Sequence, residues 1–219
     1  MSATIVEVEL PTTEFALSGT LSELDNIEFE VERFVAQDAD HVMPFVWVTG
    51  NDRDRIKGAP ERDASVENLE LLSELDGEWL YRMDWIDQIQ AVVQILVEEK
   101  GSILAAFGDE SGWQLRVLFS DRDSLSRTYE YCREAGLTLD IRSIYELDDG
   151  REGRFGLTEE QQDTLEAAFK RGYFDVPRKI TLTDLAGELG ISHQALSERL
   201  RRGEKSVLKN TVIIGCDGK

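Results

Sequence analysis

Residues 180–209, ITLTDLAGELGISHQALSERLRRGEKSVLK, restrict the fold of this chain more than any other stretch. Four apolar residues recur there at helical spacing, namely Leu182, Leu185, Ala186 and Leu189. Gly190 then ends the helix, because a residue without a Cβ atom adopts the left-handed conformation at little cost. Thr181 is suited to cap this helix, and Ser192 the next one. The pattern predicts a helix-turn-helix, a motif whose second helix enters the major groove of DNA.

The second predicted helix has a polar and basic side. Gln194, near its start, can bind adenine through two hydrogen bonds, and Ser192, His193 and Ser197 are further candidates for base contacts. Basic residues follow later in the helix, where contacts with phosphates would anchor it. The complete set of predicted DNA-binding residues is Arg178, Lys179, Thr181, Ser192, His193, Gln194, Ser197, Arg201, Arg202 and Lys205. A small helical bundle with a solvated polar face is the alternative interpretation of the same residues.

The net charge of −20 would repel DNA if it were spread evenly over the chain. Residues 155–219 hold ten Lys and Arg against ten Asp and Glu, so the whole negative excess lies in residues 1–154. Such an acidic composition is typical of proteins from salt-loving organisms. Because counterion release yields less affinity at high salt, we expect more base contacts, more apolar contacts and a dimer.

The N-terminal part has the periodicity of a mixed α and β structure. Alternating apolar and acidic residues predict strands at 4–10 and 27–35, and an apolar run predicts another at 44–49. A short helix is expected after the first strand, and a second helix at residues 61–72.

From Gly77 onward the predicted elements follow a regular order. The predicted strands are residues 79–85, 102–107, 114–120 and 137–147, and the predicted helices are residues 87–99 and 121–135. The order βαββαβ over residues 79–147 is that of the ferredoxin-like split βαβ unit. Residues 4–72 give β, α, β, β, α, which is consistent with a diverged second copy. We therefore predict an α+β fold with an N-terminal ferredoxin-like domain, duplicated in this interpretation.

A linker is predicted at residues 148–156, DDGREGRFG, which are polar and rich in glycine. It divides the chain into an α+β regulatory and dimerisation domain, residues 1–150, and an all-α helix-turn-helix domain, residues 151–219. Residues 157–172 are predicted to form the first helix of the second domain, with Thr158 as its cap and Gln161 completing a capping box. Three residues after this helix are expected to pack under the motif, namely Tyr173, Phe174 and Val176.

Two stretches resemble the Bat-type helix-turn-helix domain of haloarchaea, named for the bacterio-opsin activator. They are LTEEQQDTLEAAFKRGYFDVPR, residues 157–178, and LTDLAGELGISHQALSERLRRGEKSVL, residues 182–208. The preceding part resembles the Bat-associated regulatory domain in strand order, position and length. The resemblance implies a transcription regulator. Larger family members add PAS or GAF sensor domains and a receiver-like domain, for which 219 residues are too few, so light or oxygen sensing is not implied.

Other chemistry finds little support in the sequence. His41 and His193 lie in different predicted domains, without Cys or His at ligand spacing, so we predict no metal site. No phosphate-binding glycine motif follows a strand and no nucleophile lies near a base, so we predict no cofactor and no enzyme. Cys132 is expected in the core, whereas Cys216 lies in a tail. The tryptophans, which are Trp47, Trp79, Trp85 and Trp113, are expected to pack in the core or an interface, with an aromatic ligand pocket as the alternative.

The predicted partners are double-stranded DNA and a second copy of the chain. Residues 211–216, TVIIGC, are apolar and are expected to pair with the N-terminal domain or a second subunit, which favours a homodimer. We expect a cytoplasmic protein without membrane contact, because no signal peptide and no long apolar run occur. Two alternatives stay open, a small-molecule effector bound by the N-terminal domain and an adaptor whose helix-turn-helix contacts the transcription machinery.

Overall fold

A computed structural model of the chain describes residues 3–36, 42–50, 53–87, 89–147 and 155–211. The predictions for His41, Cys216, residues 148–154 of the linker and residues 212–216 of the tail fall outside these ranges. The chain divides into two compact units, Met1–Glu146 and Leu147–Lys219. Among the described residues, no helix combines the length and the apolar character that crossing a membrane requires.

The N-terminal unit is one eight-stranded sheet with helices. Its strands are β1 (Ala3–Leu10), β2 (Ile27–Ala36), β3 (Val42–Gly50), β4 (Val66–Leu75), β5 (Glu78–Trp85), β6 (Ser102–Asp109), β7 (Gly112–Phe119) and β8 (Asp140–Leu147). Its helices are α1 (Ser18–Glu23), α2 (Arg53–Ile56), α3 (Gln90–Val93), which continues to Glu98 in π-helical geometry, and α4 (Arg122–Glu134). The strand order is β4-β5-β3-β2-β6-β7-β1-β8. The pairs from β4 through to β1 are antiparallel.

Aromatic side chains dominate the core of this unit. Trp85 and Trp113 meet edge to face at 5.5 Å between ring centroids, and the Phe15 ring lies 4.9 Å from that of Trp113. Trp79 is buried as well, and Trp113 donates its indole N–H to the carbonyl of Ala16 at 3.1 Å. Three of the four tryptophans therefore pack in the core, as expected. Trp47 is half-buried, and because neighbouring residues of a strand alternate, it lies on the opposite face from the buried residues on either side of it.

The helix predicted at residues 61–72 is wrong, because this part of the chain enters strand β4. Leucine and glutamate favour a helix locally, but the Asp76-Gly77 turn, with φ of 21° and 97°, folds β4 back onto β5 as a hairpin. The register shifts twice, between Glu67 and Glu70 and between Leu71 and Ser73. These irregularities break the alternation of apolar and polar residues that identifies a strand in a sequence.

The predicted α+β class is confirmed, since an antiparallel sheet with helices is followed by a helical helix-turn-helix unit. A ferredoxin-like unit built from residues 79–147 alone is not confirmed. In such a unit the strand at residues 79–85 would lie beside β7, but β5 pairs with β3 and β4. The sequence pattern identifies the elements of this unit, but strand neighbours depend on contacts between distant parts of the chain.

The C-terminal unit consists of α5 (Glu159–Lys170), α6 (Leu182–Glu188) and α7 (His193–Thr211). Its buried core is formed by Ala168, Leu185, Ala186, Leu196 and Leu200. The predicted capping box at the start of α5 is present, with Thr158 accepting from the Gln161 N–H at 3.3 Å and Gln161 accepting in return at 3.1 Å.

The loop between α5 and α6 departs from the expected packing. Tyr173 packs against the core of the unit, but Phe174 is 43% exposed and Val176 is 99% exposed. The backbone N–H of Lys179 donates to the carbonyl of Gly172 at 3.0 Å, which closes the loop at its base. Val176 therefore lies near the tip of the closed loop, away from the core.

Candidate nucleic-acid interface

The turn between α6 and α7 has the geometry that the sequence predicts. Gly190 adopts φ of 65°, and the N–H of Ile191 donates to the carbonyl of Ala186 at 3.1 Å. This hydrogen bond satisfies a helix-terminal carbonyl and turns the chain sharply. The Ser192 hydroxyl then accepts from the N–H of Ala195 at 3.1 Å and so caps α7.

Tight packing against α5 holds α7 in place. Leu196 and Leu200 are buried in the core of the unit, and Gly203 allows α5 to approach closely. A Cβ atom at Gly203 would lie 2.9 Å from Cδ1 of Leu165, so little space remains between the helices. Arg199 also pairs with Glu160 of α5 at 2.9 Å. The orientation of α7 within the unit is therefore determined by close contacts along one side.

The opposite side of α7 is exposed and polar. At about 100° per residue, a stripe lies opposite the buried leucines, and we call it the α7 outer stripe. It consists of Gln194, Glu198, Arg201 and Lys205, all of which are exposed. In the described part of the chain, the side chains of Arg201 and Lys205 make no hydrogen bond and no ion pair, so both cations are available to a partner. The fold thus brings Gln194, Arg201 and Lys205 together, three of the predicted DNA-binding residues.

The other predicted residues of α7 flank the stripe. His193 and Arg202 are exposed, Ser197 is half-buried, and Ser192 is exposed at the helix start. Arg202 lies 3.6 Å from the Glu198 carboxylate, and both side chains are more than half exposed. Ion pairs that are this open to water are weak and can exchange for a phosphate.

The predicted residues before α7 have local partners. Arg178 stacks over the Tyr173 ring at 4.6 Å, and Lys179 pairs with Asp175 at 2.6 Å. The hydrogen bond to Asp175 raises the pKa of Lys179, which keeps its ammonium group charged. Thr181 caps α6 by accepting from the N–H of Asp184 at 3.2 Å, so it has a structural role as well as an exposed position.

Glu198 belongs to the stripe but is absent from the predicted set. Its Oε1 atom accepts from Nε2 of Gln194 at 3.4 Å. The sequence signal is the spacing of four residues from Gln194 to Glu198 and from Glu198 to Arg202, which brings all three side chains to one side of a helix.

The remaining candidate groups are buried or dispersed. Cys132 is buried, and burial raises the pKa of its thiol to about 11. In the ranges that the structure describes, no three His, Cys, Asp or Glu side chains come together in a way that could hold a metal ion.

Models of known protein families match both units. Residues 157–209 match a family model described as "HTH DNA binding domain", and residues 3–156 match one described as "GAF and HTH_10 associated domain". The dimethyl sulfoxide reductase transcriptional activator of Halobacterium salinarum is 43% identical over 53 residues, which are 24% of this chain and 24% of that protein. The match thus spans about a quarter of the length of this relative.

Proposed function

This chain belongs to the haloarchaeal Bat-type family of helix-turn-helix regulators, and we propose that it binds specific DNA sequences and regulates transcription. The α7 outer stripe carries this proposal, because it is exposed while the other side of α7 is held in the core. The activator from Halobacterium salinarum, which shares a 53-residue segment, supports a role in transcription.

The proposed interface separates base contacts from phosphate contacts. Gln194 lies in the first turn of α7, where it can bind adenine through two hydrogen bonds, and Ser192, His193 and Ser197 lie nearby. The proposed phosphate contacts are Arg178, Lys179, Thr181, Arg201, Arg202 and Lys205. Because the negative excess of the chain lies in residues 1–154, it would favour orientations that turn the C-terminal part towards DNA.

The test is a titration of duplex DNA, selected from a random pool, at several salt concentrations. The logarithm of the affinity should fall linearly with the logarithm of the salt concentration. Arg201→Ala should weaken all sequences alike and reduce the slope by about 1, whereas Gln194→Ala should cost about 1–3 kcal/mol at one base position. Arg122→Ala is the control, since it removes the same charge from the N-terminal unit, where Arg122 pairs with Glu146.

The outcome also tests the adaptor alternative. A wild-type chain that binds no duplex and shows no salt slope would contradict the DNA-binding proposal. It would favour a helix-turn-helix that contacts the transcription machinery instead.

We propose residues 1–150 as a regulatory and dimerisation domain and residues 151–219 as the DNA-binding domain. A homodimer would contact two half-sites related by the symmetry of the protein. Light scattering should then give twice the mass of the chain, and a monomer at micromolar concentration would contradict this part of the proposal. We propose a cytoplasmic location, because the DNA of an archaeon lies in its cytoplasm. A regulator of this kind acts by binding, so no enzymatic activity is proposed.

A small-molecule effector is a second candidate function of the N-terminal domain. A cavity of about 420 Å³ is lined there by Thr13, Glu14, Gln90, Ala135 and Leu137, and its volume lies in the range of small-ligand sites. A ligand bound in this cavity should raise the unfolding temperature, and Glu14→Ala should reduce that rise. A ligand whose effect is unchanged by Glu14→Ala would exclude this cavity as its site.

We further propose that the sheet derives from two ferredoxin-like units that exchange their first strands. The order β4-β5-β3-β2 in one half matches the order β8-β1-β7-β6 in the other, strand for strand. We take β1 to β4 as one repeat and β5 to β8 as the other. Each half of the sheet then has the ferredoxin-like order of fourth, first, third and second strand, and its first strand comes from the other repeat. Residues 1–76 and 77–147 should then fold together when co-expressed but not separately, and independent folding of either would contradict the exchange.

A further inference from the structure

Glu198 places a carboxylate in the middle of the α7 outer stripe. It lies one turn after Gln194 and between Gln194 and Arg201 along the helix. Its side chain is 52% exposed, and among the residues that the structure describes its polar partners belong to its own helix, Gln194 at 3.4 Å and Arg202 at 3.6 Å. A carboxylate at this position would be near the phosphates of bound DNA, which repel it. A hydrogen bond accepted from a base would offset this repulsion.

Cytosine offers such a hydrogen bond in the major groove. Its N4 amino group has two hydrogens, of which one pairs with guanine and the other points into the groove. Glutamate accepts from this second hydrogen, whereas thymine has only the O4 acceptor and a methyl group at the corresponding edge. Adenine also presents an amino hydrogen there, but beside its N7 acceptor, which repels a carboxylate. Cytosine is therefore the base whose major-groove edge suits a carboxylate best.

The hydrogen bond from Gln194 is compatible with this role. A carboxylate only accepts, so the Gln194 amide must turn its NH₂ group towards Glu198. The second hydrogen of Nε2 and the Oε1 atom of Gln194 then remain for adenine, which needs one donor and one acceptor. One carboxylate can thus orient the residue that binds adenine and bind a neighbouring base itself.

We propose that Glu198 is a specificity-determining residue that accepts a hydrogen bond from a cytosine N4 amino group in the major groove. This inference rests on the proposed function, since it requires that the α7 outer stripe enters the groove. Arg202 would release Glu198 on binding and contact a phosphate, because their exposed ion pair stabilises the free protein little.

The first experiment compares the sequences that wild type, Glu198→Ala and Glu204→Ala select from a random duplex pool. Glu204 is an exposed acid of the same helix outside the stripe, so both variants remove one negative charge. Both should bind non-specific DNA more tightly, because repulsion from phosphates falls. Only Glu198→Ala should lose the preference for cytosine at one position, by about 10-fold.

The second experiment replaces this cytosine by N4-methylcytosine in the selected site. The methyl group occupies the groove-facing position of the amino group while pairing with guanine is kept. Wild type should lose about 10-fold in affinity, as for a hydrogen bond to a charged group, and Glu198→Ala should lose nothing further. If Glu198 only positioned Gln194, N4-methylation would lower the affinity of wild type and of Glu198→Ala by the same factor.

Three results would overturn the inference. A cytosine preference that survives Glu198→Ala, or N4-methylation that weakens both proteins equally, would refute the role of Glu198 while DNA binding stands. A wild-type chain that enriches no sequence would refute the proposed function, and the inference with it. The first two results require a wild-type motif, so the two kinds of failure are distinguishable.

Discussion

Asp63 anchors α1 to the segment before β4 through four hydrogen bonds. Its Oδ2 atom accepts from the N–H of Thr20 at 2.6 Å and from the Thr20 hydroxyl at 2.9 Å. Its Oδ1 atom accepts from the N–H of Ser65 at 3.0 Å and from the Ser65 hydroxyl at 2.7 Å. The Ser65 hydroxyl in turn accepts from the N–H of Leu17 at 2.8 Å. Asp63 is 7% exposed, so water replaces these contacts poorly.

This geometry predicts that Asp63→Asn destabilises the protein, although the side chains have the same shape. Each carboxylate oxygen accepts from a backbone N–H. A hydroxyl can rotate or accept instead of donating, but a backbone N–H can only donate in its fixed direction. Whichever way the amide turns, its NH₂ group faces one of these two donors. The loss of one hydrogen bond to a charged group and a buried donor left unpaired together cost about 3 kcal/mol. At about 2–4 °C per kcal/mol for a chain of this size, the unfolding temperature should fall by roughly 6–12 °C.

Tryptophan fluorescence is the appropriate assay, because Trp47, Trp79, Trp85 and Trp113 all lie in the N-terminal unit. Thermal unfolding followed by their emission reports on that unit alone. Asp25→Asn is the matched control, since it removes the same charge from an exposed position. An Asp63→Asn variant within about 0.5 kcal/mol of wild type, the range of ordinary surface substitutions, would refute this account of the α1 anchor.

Two further predictions concern helix packing and thiol chemistry. Gly187→Ala should stabilise the C-terminal unit by about 1 kcal/mol, because the added Cβ atom meets nothing within 4 Å. In Gly203→Ala the added Cβ atom would lie 2.9 Å from Leu165, so this variant should not be stabilised. Both are measured by thermal unfolding followed by the helical circular dichroism signal, and equal stabilisation of the two variants would contradict this packing. Since burial raises the pKa of Cys132 to about 11, only about one thousandth of its thiol is ionised at about pH 8. In a Cys216→Ser background a thiolate-directed reagent should therefore label denatured protein only, and rapid labelling of the native protein would contradict the burial of Cys132.

The helix-turn-helix was predictable because its signals are local. Thr158, Thr181 and Ser192 cap their helices with side chains that lie three residues from their partners, and Gly190 ends α6 by its own backbone conformation. Such features are complete within a few residues of sequence. Even there, the exposure of Val176 was missed, because it depends on how the loop closes at Gly172.

The N-terminal sheet was predictable only in its elements. Most of its strands alternate apolar and polar residues, but nothing within β5 indicates that it pairs with β3 rather than β7. In β4, the register shifts remove the alternation itself. Pairing between strands far apart in the sequence is decided by the whole sheet.

Glu198 was left out of the predicted DNA-binding residues for a different reason. The residue types that most often contact DNA from a helix are cations and amides, and an acid does not belong to either group. The structure adds that, within the described ranges, the Glu198 carboxylate pairs with Gln194 and Arg202 of its own helix and stays 52% exposed on the stripe.

Methylation interference tests most directly whether α7 lies in the major groove. Dimethyl sulfate methylates guanine at N7, which faces the major groove, and adenine at N3, which faces the minor groove. On a duplex selected by wild-type protein, we predict that N7 methylation of guanines within each half-site blocks binding and that N3 methylation there has no effect. Interference at N3 alone, or at neither atom, would contradict the central claim that the α7 outer stripe binds the base edges of the major groove.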